Sequence, residues 1–240
     1  MIPKFVFARY NEDISWIYKH SQIANNCIIY NKGLPIHPSP SIHVLSNDPI
    51  WGRESDTYLH HIINNYDNLD DYTIFSQADP FDHSPEFVEV VDYIIRRQEF
   101  KSFQPLSTGW KVRENVPPMN NILYDTREYV GSYKLYMDTI EERLLPIGYT
   151  DYGILPTLER FRQIHGIQNK NHLLKHLLTI TNIDKPYCGF LKFNYGGIFG
   201  VSKQKILNNT RDFYVQLRKF VLNDWSHGFM MERLWYTIFN

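Results

Sequence analysis

Short apolar segments alternate with helical patterns in the first hundred residues, and this alternation limits the possible folds more than any other feature of the sequence. Four segments rich in β-branched and aromatic residues are predicted to be strands: 4–8, 27–30, 42–45 and 72–75. Between them, helices are predicted to begin near Asp13 and near Arg53. Such alternation is typical of βαβ units, so we expect an α/β fold with a mostly parallel sheet flanked by helices.

The later part of the chain is predicted to add mainly helices. The most regular helical pattern covers residues 85–97, behind Ser84 and Pro85. Further helical segments are predicted at 128–145, 155–178, 202–208, 210–222 and 229–239, with strands on either side of Gly196-Gly197. Residues 100–126 are rich in Pro, Gly and Asn and predict a long surface loop that could act as a lid.

Charge and cysteine content narrow the classes of function. The 25 Lys and Arg residues balance 26 Asp and Glu residues, which leaves a net charge of −1. This balance gives no electrostatic basis for sequence-independent nucleic-acid binding, so nucleic acid is not expected as a partner. Cys27 and Cys188 have no second thiol at zinc-site spacing, which favours free thiols in a reducing compartment.

The sequence also lacks the usual signs of export or membrane insertion. Its first residues have no basic segment followed by an apolar stretch and a small-residue cleavage site. No run approaches 18 consecutive apolar residues. A cytoplasmic protein of 240 residues in one domain, without a transmembrane segment, is therefore expected.

A polar cluster follows the fourth predicted strand directly. Gln77, Asp79, Asp82 and His83 lie within seven residues, at the carboxyl end of that strand. In open α/β sheets, ligands bind at this edge. Carboxylate oxygens suit Mg²⁺ or Mn²⁺, and a histidine shifts the preference toward Mn²⁺, so Asp79, Asp82 and His83 are predicted metal ligands. The alternative is that Asp82 or Ser84 caps the next helix.

The first strand ends in a second polar group at the same predicted edge. There, an aromatic ring could stack on a base while amide and carboxylate groups bond to a nucleoside; the candidates are Arg9, Tyr10, Asn11 and Asp13. Alternatively, Asn11 or Asp13 caps the following helix. Arg53 is predicted to bind a diphosphate at a helix N-terminus, or else to pair with Glu54 or Asp56.

Two further groups lie near the end of the chain. Gly196 and Gly197 could let the backbone approach a ligand closely, or could form only a bulge or tight turn. Glu232 is predicted near the start of the last helix, with Trp235 following it. Glu232 is a candidate general base, or else it stabilises the helix N-terminus or pairs with Arg233.

Several stretches together resemble a family of uncharacterised domains from fungi, bacteria and large DNA viruses that is similar to glycosyltransferases of the GT-A fold. The stretches that carry the resemblance are ARYNED (8–13), YNKG (30–33), GRESDTYLHHIINNYDNL (52–69), DYTIFSQADPFDH (71–83), GGIFGVSKQKI (196–206) and MERLWYTIF (231–239). The resemblance implies a single GT-A-like domain over 1–240 with a helical insertion. Residues 1–99 would bind the nucleotide sugar and residues 100–240 the acceptor.

The resemblance also implies roles for individual residues. Gln77-Ala78-Asp79 occupies the place of the Asp-x-Asp motif of this fold, with its first acid replaced, so Gln77 and Asp79 would contact the donor. Gly196 and Gly197 resemble the glycine loop on the acceptor side, which Trp235 would extend. Glu232 would deprotonate an acceptor hydroxyl.

The function implied is transfer of a sugar from a nucleotide-diphosphate sugar, by analogy UDP, to a glycan or glycoprotein hydroxyl, assisted by Mn²⁺ or Mg²⁺. If the source is viral, the host cytoplasm is the expected location. Two alternatives stay open: a metal-dependent phosphoesterase built on Asp79, Asp82 and His83, and a noncatalytic glycan-binding module.

Overall fold

Two β-sheets and nine α-helices make up the part of the chain that the computed structural model describes. That part comprises residues 1–36, 42–44, 51–107, 133–136, 142–145, 149–151, 155–168, 173–185, 191–193 and 195–239. The strands are β1 (Lys4–Arg9), β2 (Cys27–Asn31), β3 (Ile42–Val44), β4 (Tyr72–Gln77), β5 (Phe103–Pro105), β6 (Tyr133–Tyr136), β7 (Glu142–Leu145), β8 (Tyr149–Asp151), β9 (Leu191–Phe193) and β10 (Phe199–Ser202). The helices are α1 (Ser21–Ala24), α2 (Arg53–Asn64), α3 (Phe87–Arg97), α4 (Leu155–His165), α5 (Leu173–Ile180), α6 (Lys203–Leu207), α7 (Arg211–Val221), α8 (Trp225–Glu232) and α9 (Trp235–Phe239).

The larger sheet has six strands in the order β3-β2-β1-β4-β10-β5. β1 is parallel to both of its neighbours, β2 and β4, and β3 is parallel to β2. β10 runs antiparallel between β4 and β5. The predicted mostly parallel sheet is therefore confirmed, as are the four predicted strands of the first hundred residues.

Both faces of this sheet are covered, which explains why its strands read as almost continuous apolar runs. Successive β1 side chains point to opposite faces, so Val6 joins one buried cluster while Phe5 and Phe7 join the other. α2, α7, α8 and α9 contribute to the Val6 cluster. α3 covers the other face with the apolar stripe that its sequence predicts.

The predicted helix near Asp13 is wrong. The Asp13 carboxylate accepts hydrogen bonds from the backbone N–H and the hydroxyl of Ser15, which forms a turn instead. Only a 3₁₀ turn (Ile17–Lys19) and the single turn of α1 follow. Trp16 anchors this connection to the segment after β4, because its Nε1 donates to the Ala78 carbonyl at 2.8 Å.

The predicted helix over 128–145 is also wrong where the structure describes it. β6 and β7 form an antiparallel pair in which Leu135 lies opposite Leu144, and β6 also pairs with β9. Pairing with a segment more than fifty residues away outweighs the local helical periodicity of the sequence. β5 occupies part of the predicted loop 100–126, of which residues 108–126 lie outside the described part of the chain.

The predicted helix over 229–239 is divided in two. α8 begins at Trp225, where the Asp224 side chain accepts a hydrogen bond from the backbone N–H of Ser226, and it ends at Glu232. α9 then begins at Trp235. Glu232 therefore lies at the carboxyl end of a helix and not near its start. None of the described helices is long and apolar enough to cross a membrane.

A buried carboxylate joins three segments of the larger sheet and its helices. Asp56 in α2 accepts from Lys32 Nζ at 2.5 Å and from Arg218 Nε of α7 at 2.6 Å. The side chains of Asp56 and Lys32 are almost completely buried. Two cations sharing one buried anion hold α2 against α7 and against the segment after β2.

A second polar contact joins α4 to α8. Arg160 pairs with Asp224 through two hydrogen bonds of 2.7 and 2.9 Å. His227 Nδ1 must donate to the Phe220 carbonyl at 2.7 Å, so in neutral His227 the Nε2 atom accepts from His165 Nε2 at 2.9 Å. Burial, reinforced by His227, lowers the pKa of His165 to about 4, and burial also lowers the pKa of His227.

We expect Asp56→Ala to lower the free energy of unfolding by about 3–5 kcal/mol, because it leaves the buried Lys32 ammonium without its counterion. Urea unfolding followed by circular dichroism measures this loss. Asp67→Ala is the control, since it removes an exposed ion pair with Arg211 and should cost less than about 1 kcal/mol. Equal losses for the two variants would contradict the structural role of Asp56.

We expect stability to fall as the pH drops from about 6.5 toward 4. Unfolding restores ordinary histidine pKa values, so in this range the unfolded chain binds more protons than the folded one. Thermal unfolding at a series of pH values measures the loss. His165→Gln should reduce it, because protonated His227 then faces an amide oxygen; an unchanged pH dependence would show that the histidine pair does not contribute.

Candidate functional site

A pocket of about 360 Å³ opens at the carboxyl ends of β1 and β4, beside the N-terminus of α2. Nine residues of the described part of the chain line it: Ala8, Arg9, Tyr10, Glu12, Lys32, Arg53, Glu54, Thr57 and Gln77. The chain leaves β1 toward β2 and β3 on one side, whereas β4 lies on the other side. The pocket therefore lies where the strand order reverses, which is the usual ligand-binding position in open α/β sheets.

Arg9 is a buried cation in this pocket, with 8% of its surface exposed. Its Nε and Nη1 atoms donate only to neutral acceptors, which are Asn31 Oδ1 and the carbonyls of Tyr10, Glu12 and Leu34. Within the described part of the chain, Arg9 has no ion pair, and Nη2 makes no hydrogen bond. Because buried charges in proteins are normally paired, this arrangement favours an anionic ligand.

Arg53 and the first turn of α2 provide further donors. Gly52 and Arg53 both have positive φ angles, of 87° and 46°, and Gly52 contributes no side-chain cap to the helix. The N-cap position therefore supplies no capping side chain where anions bind to helices, although the Glu54 carboxyl interacts with its own backbone N–H. The Arg53 guanidinium lies 4.2 Å from the centre of the Phe229 ring and remains 44% exposed.

Lys32 adds a third cation, although its charge is shared. Nζ donates to Asp56 and to the Arg53 carbonyl, at 2.5 and 3.2 Å. Burial lowers the pKa of Lys32, and the neighbouring Asp56 carboxylate opposes this effect. The Lys32 ammonium thus connects the pocket wall to the buried Asp56 network.

Two carboxylates also line the pocket. Glu12 accepts from the Tyr10 backbone N–H at 2.6 Å, while the Tyr10 ring at the rim is 53% exposed. Glu54 is buried, and burial raises the pKa of its carboxyl; Glu232 adds to the increase by repulsion, whereas Arg53 opposes it. The pocket therefore combines anion-binding groups with a carboxyl that holds its proton more strongly than an ordinary glutamate.

Four of the seven predicted donor-binding residues line this pocket together: Arg9, Tyr10, Arg53 and Gln77. The other three do not line it, and each stabilises a loop. Asn11 Oδ1 accepts from the Leu34 backbone N–H at 3.0 Å, and Asp79 Oδ1 from that of Phe81 at 3.1 Å. Asp13 is exposed, and its hydrogen bonds to Ser15 lower its pKa.

The predicted metal ligands Asp79, Asp82 and His83 are not gathered around one point. Among the residues with described positions, no three His, Cys, Asp or Glu side chains are placed to hold a metal ion. Asp79 and Asp82 are exposed. The His83 ring lies beside Gly196 instead, where burial lowers its pKa. These three side chains do not fit a preformed metal site.

Gly196 and Gly197 form a turn that several predicted site residues hold in place. Both have positive φ angles, of 69° and 62°. Gln77 Nε2 donates to the Gly196 carbonyl at 3.2 Å, and the Gly196 N–H donates to Glu232 Oε1 at 2.7 Å. A Cβ at Gly196 would lie 2.7 Å from the His83 ring. The glycine turn is therefore fixed between the end of β4 and the end of α8.

Glu232 and Trp235 are not among the described residues that line the pocket. The second carboxylate oxygen of Glu232 accepts from Arg233 Nη1 at 2.6 Å, so both oxygens are engaged within the chain. Trp235 is fully buried and packs against Tyr58 and Phe199. Trp235 therefore has no exposed ring face with which it could make the predicted contact with an acceptor.

Five of the lining residues were not among the predicted site residues: Ala8, Glu12, Lys32, Glu54 and Thr57. Lys32 directly follows β2, so its position at the carboxyl edge of the sheet could have been predicted from the strand boundaries. Glu54 and Thr57 belong to the first turns of α2. The Thr57 hydroxyl is buried without a hydrogen-bond partner among the described residues, and no sequence pattern indicated this.

Comparison with known proteins gives one match. A family model described as "Protein of unknown function (DUF3431)" matches residues 5–103, from β1 to the beginning of β5. All nine residues that line the pocket lie within this range, whereas the glycine turn and Glu232 lie outside it. Neither a curated protein nor a solved structure matches the chain.

We expect Gly196→Ala to lower the free energy of unfolding by about 3 kcal/mol, because it adds a clash with His83 to the cost of a positive φ angle. Gly166→Ala is a matched control: Gly166 has a φ angle of 62°, but a Cβ there meets nothing within 4 Å. The control should lose only about 1–2 kcal/mol. Urea unfolding measures both values, and equal losses would contradict the packing of His83 on the turn.

Proposed function

We propose that this chain is a glycosyltransferase of the GT-A kind, which takes a sugar from a nucleotide-diphosphate sugar and transfers it to a hydroxyl of a glycan or glycoprotein. The observation that carries the proposal is the buried Arg9 guanidinium, which lines a pocket at the switch point of the sheet and forms no ion pair with a carboxylate of the described residues. A diphosphate would supply the missing negative charge. UDP is the proposed carrier, by analogy with glycosyltransferases of this fold.

In this proposal, the donor diphosphate lies between Arg9 Nη2, Arg53 and the first N–H groups of α2. Each hydrogen bond between a charged pair contributes about 1.5–3 kcal/mol, so a few such contacts suffice for micromolar binding. Tyr10 is exposed enough to stack on the base. Gln77 has a neutral amide at the end of β4 that suits a ribose hydroxyl.

The same cations would promote the reaction. As the bond between the sugar and the diphosphate breaks, negative charge accumulates on the departing phosphate oxygens. Fixed cations and helix N–H groups stabilise this charge without having to reorganise. Gln77 contacts the glycine turn, which Glu232 holds, and in this proposal the acceptor approaches the pocket beside that turn.

A divalent cation enters the proposal only as a partner of the bound diphosphate. Mg²⁺ in phosphate-binding sites is commonly held by one or two carboxylates together with phosphate oxygens. The exposed Asp79 carboxylate would be the protein ligand, and the cation would neutralise charge on the diphosphate. The roles of Arg9, Arg53 and α2 do not depend on it.

Calorimetry and thermal shift with the full chain test the proposal. Uridine, UMP, UDP and UDP-sugars should be compared with and without Mn²⁺, and UDP should stabilise the chain more than uridine does. Products should then be analysed by mass spectrometry. A glycosylated acceptor supports the proposal, whereas release of phosphate without sugar transfer would favour the phosphoesterase. Absence of binding by every nucleoside diphosphate would overturn the proposal.

We expect Arg53→Gln to weaken UDP binding about 10- to 100-fold, since it removes one charge-assisted contact. Arg211→Gln is a matched control, because both arginines are 44% exposed, pair with one carboxylate and lie over one aromatic ring. The control should bind UDP with unchanged affinity. Binding of uridine should be the same in both variants, and a loss of uridine affinity in Arg53→Gln would place Arg53 away from the phosphates.

A further inference from the structure

Two acidic residues lie in the first turn of α2, and their surroundings differ. Asp56 makes short ion pairs with Lys32 and Arg218, of 2.5 and 2.6 Å. Glu54 lines the pocket, and its one ion pair in the described part of the chain is a longer contact of 3.5 Å with Arg53 Nε. Asp56 is thus part of the framework, whereas Glu54 faces the space that a ligand would occupy.

The surroundings of Glu54 raise the pKa of its carboxyl, which favours binding and release of a proton by that group. Arg53 and Lys32 attract a negative charge on its carboxyl, and Glu232 repels one, but burial is the largest influence and raises the pKa of Glu54. One turn along α2, the Tyr58 hydroxyl is completely buried without a hydrogen-bond partner among the described residues. Burial and the two glutamates raise the pKa of Tyr58 well above its ordinary value, so this hydroxyl stays protonated.

Glu232, in contrast to Glu54, has both carboxylate oxygens hydrogen-bonded within the protein. Its two oxygens accept from the Gly196 N–H and from Arg233, and it does not line the pocket. A carboxylate that must keep both of these hydrogen bonds is poorly placed to take a proton from a substrate, since protonation would weaken each of them. It is well placed to hold the glycine turn.

We infer that Glu54 is the acid–base residue of this pocket and that Glu232, predicted from the sequence to be the base, is a positioning residue for the glycine turn. This inference rests on the proposed function. The Glu54 carboxylate removes the proton from the acceptor hydroxyl as that oxygen bonds to the anomeric carbon of the donor sugar. The bond between this carbon and the diphosphate oxygen breaks, its electron pair leaves with UDP, and Glu54 later releases the proton to water.

The first test measures proton uptake when UDP binds, which requires no turnover. A diphosphate next to Glu54 favours the protonated carboxyl, so wild-type protein should take up more protons than Glu54→Gln does. Calorimetry in two buffers with different ionisation enthalpies, at pH 6 to 8, gives the number of protons. Subtracting the value for Glu54→Gln removes the contribution of the UDP phosphates themselves. Glu159→Gln, an exposed glutamate in α4, is the control and should behave as wild type.

The second test compares rates of UDP release from UDP-sugars. Glu54→Gln should bind UDP at least as tightly as wild type, because a negative charge next to the diphosphate is removed. Its turnover should fall about 100- to 10,000-fold, and the loss of rate toward low pH should disappear from its pH profile. Glu232→Gln should keep that pH dependence and show a lower melting temperature.

The outcomes separate the two proposals. If wild-type protein binds neither UDP nor any other nucleoside diphosphate, the proposed function fails and the role of Glu54 fails with it. If UDP binds with equal proton uptake in wild type and Glu54→Gln, the proposed function stands and the inference is overturned. The inference is also overturned if Glu232→Gln, and not Glu54→Gln, abolishes turnover while UDP binding is intact.

Discussion

The parallel pairing of β1 with both β2 and β4 is the constraint on which the rest of the structure depends. Parallel neighbours cannot be joined by a tight turn, so the chain has to cross the sheet between them. Both crossings return the polypeptide to the same end of the sheet. Arg9, Lys32 and Gln77 are therefore brought to one edge although they are far apart in sequence.

The charged side chains at this edge have two different roles: some form ion pairs that stabilise the fold, and Arg9 is available to bind a ligand. Asp56 is shared by Lys32 and Arg218 and fixes the start of α2, whereas Arg9 is held by neutral acceptors and forms no ion pair within the described part of the chain. Neutral oxygen acceptors hold the Arg9 guanidinium in a fixed position, but they do not neutralise its positive charge. The cost of burying that charge falls when an anion binds, which couples the stability of the loop after β1 to occupancy of the pocket.

The sequence predicted those parts of the fold that depend on local pattern. The strands β1 to β4 and the helices α2 and α3 follow from runs or stripes of apolar residues, and the position of Arg9, Tyr10, Arg53 and Gln77 at one edge follows from parallel topology. β6 and β7 could not be predicted, because their pairing is non-local and their sequences carry a helical period. The pairing of Glu232 with Arg233 was one of the alternatives predicted from the sequence, and it is confirmed. The contact of Glu232 with the Gly196 N–H joins residues far apart in the chain and leaves no trace in their spacing.

β10 lies between β4 and β5 in the larger sheet, but it is outside the segment that the family model matches. The family match ends at residue 103, yet the strand partner of β5 is residues 199–201, and the same strand covers the edge of β4. A fragment ending near residue 107 would expose the backbone hydrogen-bonding groups of β4 along an apolar strand. The matched segment is therefore smaller than the unit that forms the larger sheet, because β10 has to pair with both β4 and β5 to complete that sheet.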